Sequence, residues 1–128
     1  MTTRYPDTMI DGVDSRETLR QFYRTRATQK RETDRQRREH YEALLPRIVE
    51  GIRERDPHVS RIVLFGSLAE RKEGTVRDID IAIGSSDFLK VSGWLLSLSE
   101  PIDVVDLNDL YPHIRERVEA TGRVLYER

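Results

Sequence analysis

The chain has 128 residues, of which 37% are apolar and 35% are charged, so we expect one small domain with a modest core and a heavily solvated surface. The absence of cysteine excludes disulfides, thiolate zinc sites and cysteine nucleophiles, and His40, His58 and His113 are too scattered for a histidine metal site. No segment is apolar enough to span a membrane and the N-terminus lacks a signal-peptide pattern, so we expect a cytoplasmic protein.

The net charge of −1 hides an asymmetry along the chain. Residues 15–41 hold nine arginines and lysines against four acids, a local net charge of +5, and the remainder carries −6. The basic segment is either a solvated helix face or a docking surface for a partner or nucleic acid, and the charge pattern alone does not choose between them.

Apolar residues recur at helical spacing in residues 19–27 and again in residues 41–52, separated by an almost wholly polar stretch. This pattern predicts two amphipathic helices with a solvated connection, the first beginning near Ser15 and the second kinked or restarted at Pro46. We expect residues 1–13 to be loose. The predicted organisation is a basic, helical N-terminal extension over residues 1–40 and a folded domain over residues 41–128.

Two apolar runs enclose the most informative spacing in the chain. Arg61 to Phe65 is typical of a buried strand, and it ends in a Gly66-Ser67 turn where the backbone can approach a ligand closely. After ten further residues, Asp78-Ile79-Asp80-Ile81-Ala82-Ile83 alternates acidic or small residues with isoleucines. Alternation along a strand places both carboxylates on one face, and a hard divalent cation would relieve their repulsion.

The remainder of the chain predicts three more elements and a closing strand. A helix is expected over residues 88–97, capped by Asp87, with Leu89 and Leu96 widening its apolar surface and Trp94 in the core. An acidic strand at residues 101–107, a helix at residues 110–120 and a last strand after Gly122 complete a mixed α/β (α+β) sheet with helices packed on it.

The Gly-Ser, ten-residue spacer, Asp-x-Asp pattern and its flanking apolar runs resemble the minimal nucleotidyltransferase (MNT) family of the DNA polymerase β superfamily. The resemblance covers about residues 41–128, including Pro101 to Leu107 as the strand of a third carboxylate and Gly122 to Glu127 as the closing segment. It implies a polymerase β-like fold and a magnesium-dependent transfer of AMP from ATP to a hydroxyl group.

The resemblance also implies roles for individual residues. Gly66 and Ser67 would bind the triphosphate, and Asp78, Asp80 and Asp103 would be the catalytic carboxylates that hold two magnesium ions. Family position favours Asp103 as the third carboxylate and makes Asp106 the weaker candidate. Residues three apart on a strand face opposite ways, so only one of the pair can join the site, and spacing alone does not choose. The family further implies a protein adenylyltransferase that acts as the antitoxin of a HEPN toxin by modifying a tyrosine of that toxin.

Three places depart from the family pattern. Many members have a basic residue after the serine, a glycine within the spacer and a serine before the first aspartate, whereas this chain has Leu68, Arg71 and Arg77. Gly74 is a shifted counterpart of the spacer glycine in this interpretation, and Arg71, Lys72 and Arg77 are either replacements for the missing positive charge or solvated turn residues.

Other interpretations compete with this one. Asp78-Ile79-Asp80 is also compatible with a hairpin strand that has a polar outer face, beside an ordinary Gly-Ser turn. The site is then vestigial and the chain a non-catalytic antitoxin or binding module; another alternative is an adenylyltransferase for a small molecule such as an aminoglycoside. Arg35, His40 and Tyr41 approach the HEPN ribonuclease motif, but the tyrosine comes one place early, so we reject that assignment.

Overall fold

The computed structural model describes residues 15–70 and 74–128, so the expectation for residues 1–13 lies outside the described residues. The elements follow in the order α1 (Ser15–Arg55), β1 (Arg61–Phe65), α2 (Gly66–Glu70), β2 (Ile79–Gly84), α3 (Phe88–Ser97), β3 (Ile102–Asp106), a 3-10 turn (Leu107–Asp109), α4 (Pro112–Thr121) and β4 (Arg123–Glu127). The short helix α2 and the 3-10 turn were not predicted.

The four strands form one mixed sheet in the order β3-β2-β1-β4. Strand β1 pairs antiparallel with both β2 and β4, whereas β2 and β3 are parallel. The predicted mixed α/β architecture is therefore confirmed, and strand β2, which carries the Asp-x-Asp pattern, is paired on both sides.

Helix α1 is continuous, so the prediction of two helices with a solvated connection is wrong. The polar stretch is rich in arginine, glutamine and glutamate, which have high helix propensity and do not interrupt a helix. Ion pairs such as Arg35–Glu32 at i,i+3 spacing add local support. Pro46 lies inside the helix and does not open a new turn.

The described chain divides into two compact units, one ending at Arg35 and the other comprising Gln36–Arg128. In the first, the side chains of residues 19–33 are exposed, including Leu19, Phe22 and Tyr23. In the second, the buried residues of α1 all lie between Tyr41 and Ile52.

The second unit has a core on each face of its sheet. On one face, isoleucines and leucines of β1 and β2 pack with residues of α1 and α3 in a cluster that includes Ile52, Ile62, Leu64, Ile79, Ile81, Ile83 and Leu95. On the other face, a smaller cluster contains Val63, Ala82, Leu107 and Val118. Strand alternation sends Asp80 to the side of Ala82, so the acidic residues lie on the face with the smaller core.

Two details of α3 differ from the prediction. Asp87 stands at the N-cap position, but its side chain makes no capping hydrogen bond. Leu89 and Leu96 are 84% and 64% exposed, so they do not widen the buried surface. Trp94 packs partly buried against the core, where its ring lies beside Gly51 and under the Arg55 guanidinium at 4.1 Å.

A buried carboxylate ties the end of α1 to the loop before α3. Asp56 is 2% exposed and accepts hydrogen bonds from the Ser85 hydroxyl, from the Ser86 N–H and hydroxyl, and from the His58 N–H. Burial by itself raises the pKa of Asp56, but these hydrogen bonds, led by that of Ser85, outweigh it and hold the pKa below 3.8.

Among residues 15–70 and 74–128, no helix combines the length and the apolar character needed to cross a bilayer.

We expect Asp56→Ala to lower the free energy of unfolding by about 2–4 kcal/mol, because the substitution leaves buried donors without an acceptor. The pKa of this carboxyl is lowered in the folded state, so its stabilisation is present above about pH 4 and is lost as the pH falls further. Urea unfolding at several pH values measures both effects. Asp87→Ala is the control and should change stability by less than about 0.5 kcal/mol; equal losses in the two variants would contradict the assignment.

Candidate active site

Gly66 forms the turn between β1 and α2 and has a φ of +73°, a conformation that favours glycine. A Cβ atom at this position would lie 2.2 Å from Oδ2 of Asp80, far inside contact distance. Both the backbone conformation and the close approach therefore require glycine. The side chain of Ser67, the next residue, is exposed.

Strand pairing brings the acidic residues together. Asp80 lies opposite Phe65, the last residue of β1, and its parallel neighbour on β3 is Asp103. Asp78 comes immediately before β2, two residues before Asp80, and therefore points to the same face. Carboxylate oxygens of Asp78, Asp80 and Asp103 all lie within 4.8 Å of one another.

Asp106 lies apart from this cluster. It pairs with Ile83 near the other end of β2, and its side chain accepts a hydrogen bond from the N–H of Asn108 at 2.9 Å. It therefore caps the 3-10 turn. Of the two candidates that the sequence left open, the structure brings Asp103 to the other carboxylates.

The carboxylate cluster carries excess negative charge. Burial, then the charge of Asp103, then that of Asp78 raise the pKa of Asp80 to about 6. Asp78 and Asp80 are half-buried, whereas Asp103 is exposed and faces the approach from solvent. Oxygen ligands at this spacing beside uncompensated charge have the chemistry that a hard divalent cation such as Mg²⁺ prefers.

The places that depart from the family pattern have different environments. Leu68 is completely buried in the main core, so the place after the serine is a packing position. The side chain of Arg77 is exposed. Gly74 has a φ of +131° with open space around it, and Arg71 and Lys72 lie outside the described residues.

Sequence reasoning missed three contacts from α1 to the motif segments. Arg37, Arg38 and Tyr41 each donate a hydrogen bond to a backbone carbonyl within residues 67–77. The arginines were hidden among the nine basic residues of the N-terminal segment, and no spacing rule singles them out. Tyr41 is 5% exposed.

The family model described as polymerase beta, nucleotidyltransferase matches residues 48–128. The chain belongs to this nucleotidyltransferase family. The matched segment contains all four strands together with Gly66, Ser67 and the three clustered aspartates. The family resemblance drawn from the sequence is thereby confirmed. No curated protein matches the chain significantly.

The nucleotidyltransferase is also similar to solved toxin–antitoxin structures. A toxin–antitoxin crystal structure with AMP-PNP is 24% identical, with a TM-score of 0.54 over 66% of this chain and 73% of the other. A complex of a tri-AMPylated Shewanella oneidensis HEPN toxin with an MNT antitoxin is 23% identical, with a TM-score of 0.52 over 68% and 72%. An MntA–HepT complex gives 22% and 0.51 over 68% and 73%. At these identities the similarity establishes the fold.

We expect Asp80→Asn to stabilise the metal-free nucleotidyltransferase above about pH 6, because the wild-type carboxylate is ionised there beside two others. The pKa of Asp80 is raised in the folded state to about 6, so wild-type stability should fall as the pH rises from about 4 through about 6. Urea unfolding in EDTA from pH 4 to pH 8 tests this. Asp106→Asn, outside the cluster, should retain the wild-type pH profile; an Asp80→Asn protein less stable than wild type at pH 8 would contradict the electrostatic account.

Gly66→Ala should weaken binding of Mg–ATP by at least about tenfold, because the added methyl group displaces the Asp80 carboxylate from its position. Gly74→Ala is a matched control, since it also places alanine at a positive φ but meets no atom within 4 Å. Alanine at a positive φ should cost at least about 1–2 kcal/mol of stability at either position, and more at residue 66, where the methyl group also meets Asp80. Isothermal titration measures the affinity, and equal Mg–ATP affinities in the two variants would show that the Gly66 contact is irrelevant to the nucleotide.

Proposed function

We propose that this nucleotidyltransferase is a magnesium-dependent enzyme that transfers AMP from ATP to a protein hydroxyl, and that the acceptor is a tyrosine of a HEPN toxin. The observation that carries the proposal is the convergence of Asp78, Asp80 and Asp103 beside the Gly66 turn. A hairpin strand that merely has a polar outer face would not explain why a third carboxylate, from a different strand, lies beside the pair.

Asp78, Asp80 and Asp103 would hold two magnesium ions. Carboxylates are acceptor-only groups when ionised, and burial, then the charges of Asp103 and Asp78, raise the pKa of Asp80, so positive charge beside it would favour its ionised form. When bound, the ions supply charge neutralisation for the phosphates and lower the pKa of an attacking hydroxyl. The proposal therefore requires that Asp80 be ionised in the working enzyme.

Gly66 and Ser67 would bind the β and γ phosphates. The turn has no side chain at its first residue, an exposed hydroxyl at its second, and Asp80 directly beside it. A triphosphate on the turn would therefore present its α phosphate towards the carboxylates. Leu68 anchors the turn by its burial, and this holds the hydroxyl of Ser67 outward.

The proposed transfer is a single displacement at the α phosphorus of ATP. The acceptor oxygen forms a bond to the α phosphorus while the bond from that phosphorus to the bridging oxygen of the β phosphate breaks, and pyrophosphate leaves along the Gly66–Ser67 side. Asp103 would help to remove the proton from the acceptor hydroxyl. It suits this role because it is the exposed member of the cluster, on an edge strand that an acceptor side chain can reach.

The choice of acceptor is supported by the proteins that share the fold. One similar structure contains a tri-AMPylated HEPN toxin with an MNT antitoxin, and another toxin–antitoxin structure contains AMP-PNP. We propose the same kind of partner for this chain, with the AMP placed on a tyrosine. A HEPN reading frame beside the gene would support the assignment.

The second candidate is a binding module that neutralises its partner without catalysis. The observation that favours it is the exposed row of Leu19, Phe22 and Tyr23 on the basic segment of α1, where an apolar stripe lies among arginines. The same extension would serve as a docking element for the enzyme. Loss of catalysis without loss of partner binding separates the two candidates.

The double variant Asp78→Asn, Asp80→Asn should lose AMP transfer by at least about 100-fold while remaining folded, because it removes ionised carboxylates from the site without removing buried volume. Labelling of a co-purified HEPN partner with radioactive ATP measures transfer, and circular dichroism measures folding.

Asp106→Asn is the control for this experiment and should label the partner at the wild-type rate. Undiminished labelling by the double variant would rule out the proposed mechanism. A double variant that does not transfer AMP but still neutralises the partner in cells would favour the binding module.

A further inference from the structure

One turn of α1 contacts both ends of the spacer that separates the Gly-Ser turn from the first aspartate. At the beginning of the spacer, Nη1 of Arg38 donates to the carbonyls of Ser67 and Leu68, each at 3.3 Å. At its end, Nη1 of Arg37 donates to the carbonyl of Val76 at 3.5 Å, and the hydroxyl of Tyr41 donates to that of Arg77 at 3.4 Å.

These contacts supply hydrogen-bond donors to backbone carbonyls at the two ends of the spacer. Helix α2 ends at Glu70 after five residues, so its carbonyls lack most of the partners that a longer helix supplies. The Arg38 guanidinium donates to two such carbonyls at once. Val76 and Arg77 precede β2, which begins at Ile79, so their carbonyls lie outside that strand.

Packing reinforces the hydrogen bonds. Leu68 and Val76, one near each end of the spacer, are completely buried in the same core cluster as Tyr41. Residues 67–68 and 76–77 are therefore both held against one turn of α1. Since Ser67 and Asp78 lie at or beside these two segments, the contacts with α1 constrain the distance between them.

We propose that Arg37, Arg38 and Tyr41 are positioning residues that hold the phosphate-binding turn and the metal-binding carboxylates at the separation required by a magnesium–nucleoside triphosphate. The inference rests on the proposed function, in which one magnesium–nucleoside triphosphate contacts both the turn before the spacer and the carboxylates after it. None of the three side chains need touch the nucleotide. They act through backbone carbonyls, so their loss affects binding of the triphosphate and the orientation of its α phosphate.

The test compares the full-length wild-type chain with the double variant Arg38→Met, Tyr41→Phe. These substitutions remove one donor at each end of the spacer, leave Arg37 in place and retain most of the buried apolar volume. Arg47→Ala is the control, since it removes an exposed arginine from the same helix that is not among the side chains bonded to the described residues of the spacer. Hydrogen–deuterium exchange reports the motion of residues 67–70 and 76–80 in the absence of ligand, and titration reports the affinity for Mg–ATP.

In the double variant we expect faster exchange in both segments and an affinity for Mg–ATP at least about tenfold weaker, whereas Arg47→Ala should match the wild type in both measurements. Arg38→Lys, Tyr41→Phe should recover part of the affinity, because an ammonium group retains the charge but cannot bridge two carbonyls as a guanidinium does.

Unchanged exchange in the double variant would overturn the proposal, and so would faster exchange with an affinity equal to that of Arg47→Ala, because the contacts would then have no bearing on the ligand. Failure of the proposed function looks different. In that case the wild type itself would not bind ATP in the presence of magnesium, and the positioning role would fall with it.

Discussion

The mutual repulsion of Asp78, Asp80 and Asp103 is the constraint on which the rest of the site depends. Three carboxylates within 4.8 Å of one another are unfavourable, and burial, followed by the charges of Asp103 and Asp78, raises the pKa of Asp80. The chain tolerates this arrangement because β2 is paired on both sides and its isoleucines are completely buried. Core packing therefore holds charges together that would separate in a less constrained backbone, and a divalent cation would convert the repulsion into attraction.

The two faces of the sheet have separate tasks. The face with the larger core packs against α1 and α3 and supplies most of the buried apolar surface. The opposite face has the smaller core, and the acidic residues lie on this face at the N-terminal ends of β2 and β3. Arg38 and Tyr41 of α1 donate hydrogen bonds to the backbone at the two ends of the spacer, and in our proposal these contacts position the site. The three carboxylates thus lie on or beside strands, and Asp103 is the most exposed of them.

Much of the fold follows from local patterns. The alternation in residues 78–83 predicts β2 to within one residue at each end, and the boundaries of α3 were predicted as the structure has them. The failures have physical causes. Residues 28–39 are polar, and an apolar periodicity cannot show that arginine, glutamine and glutamate continue a helix. Leu89 and Leu96 satisfy the helical spacing, but burial depends on which face meets the sheet, and they lie on the other one.

The sequence by itself determined the Gly66-Ser67 turn, because such a turn depends on the backbone freedom of glycine. It also determined that Asp78 and Asp80 share a face and that only one of Asp103 and Asp106 can join them, because both points depend on the alternation of side chains along a strand. Only the tertiary structure decided that Asp103 is the one that meets Asp80, since this depends on the parallel register of β3 against β2. It also decided that a Cβ at residue 66 would collide with Asp80, and that α1 contacts both ends of the spacer. Register and long-range contact join residues far apart in the chain, and no local pattern encodes the distance between them.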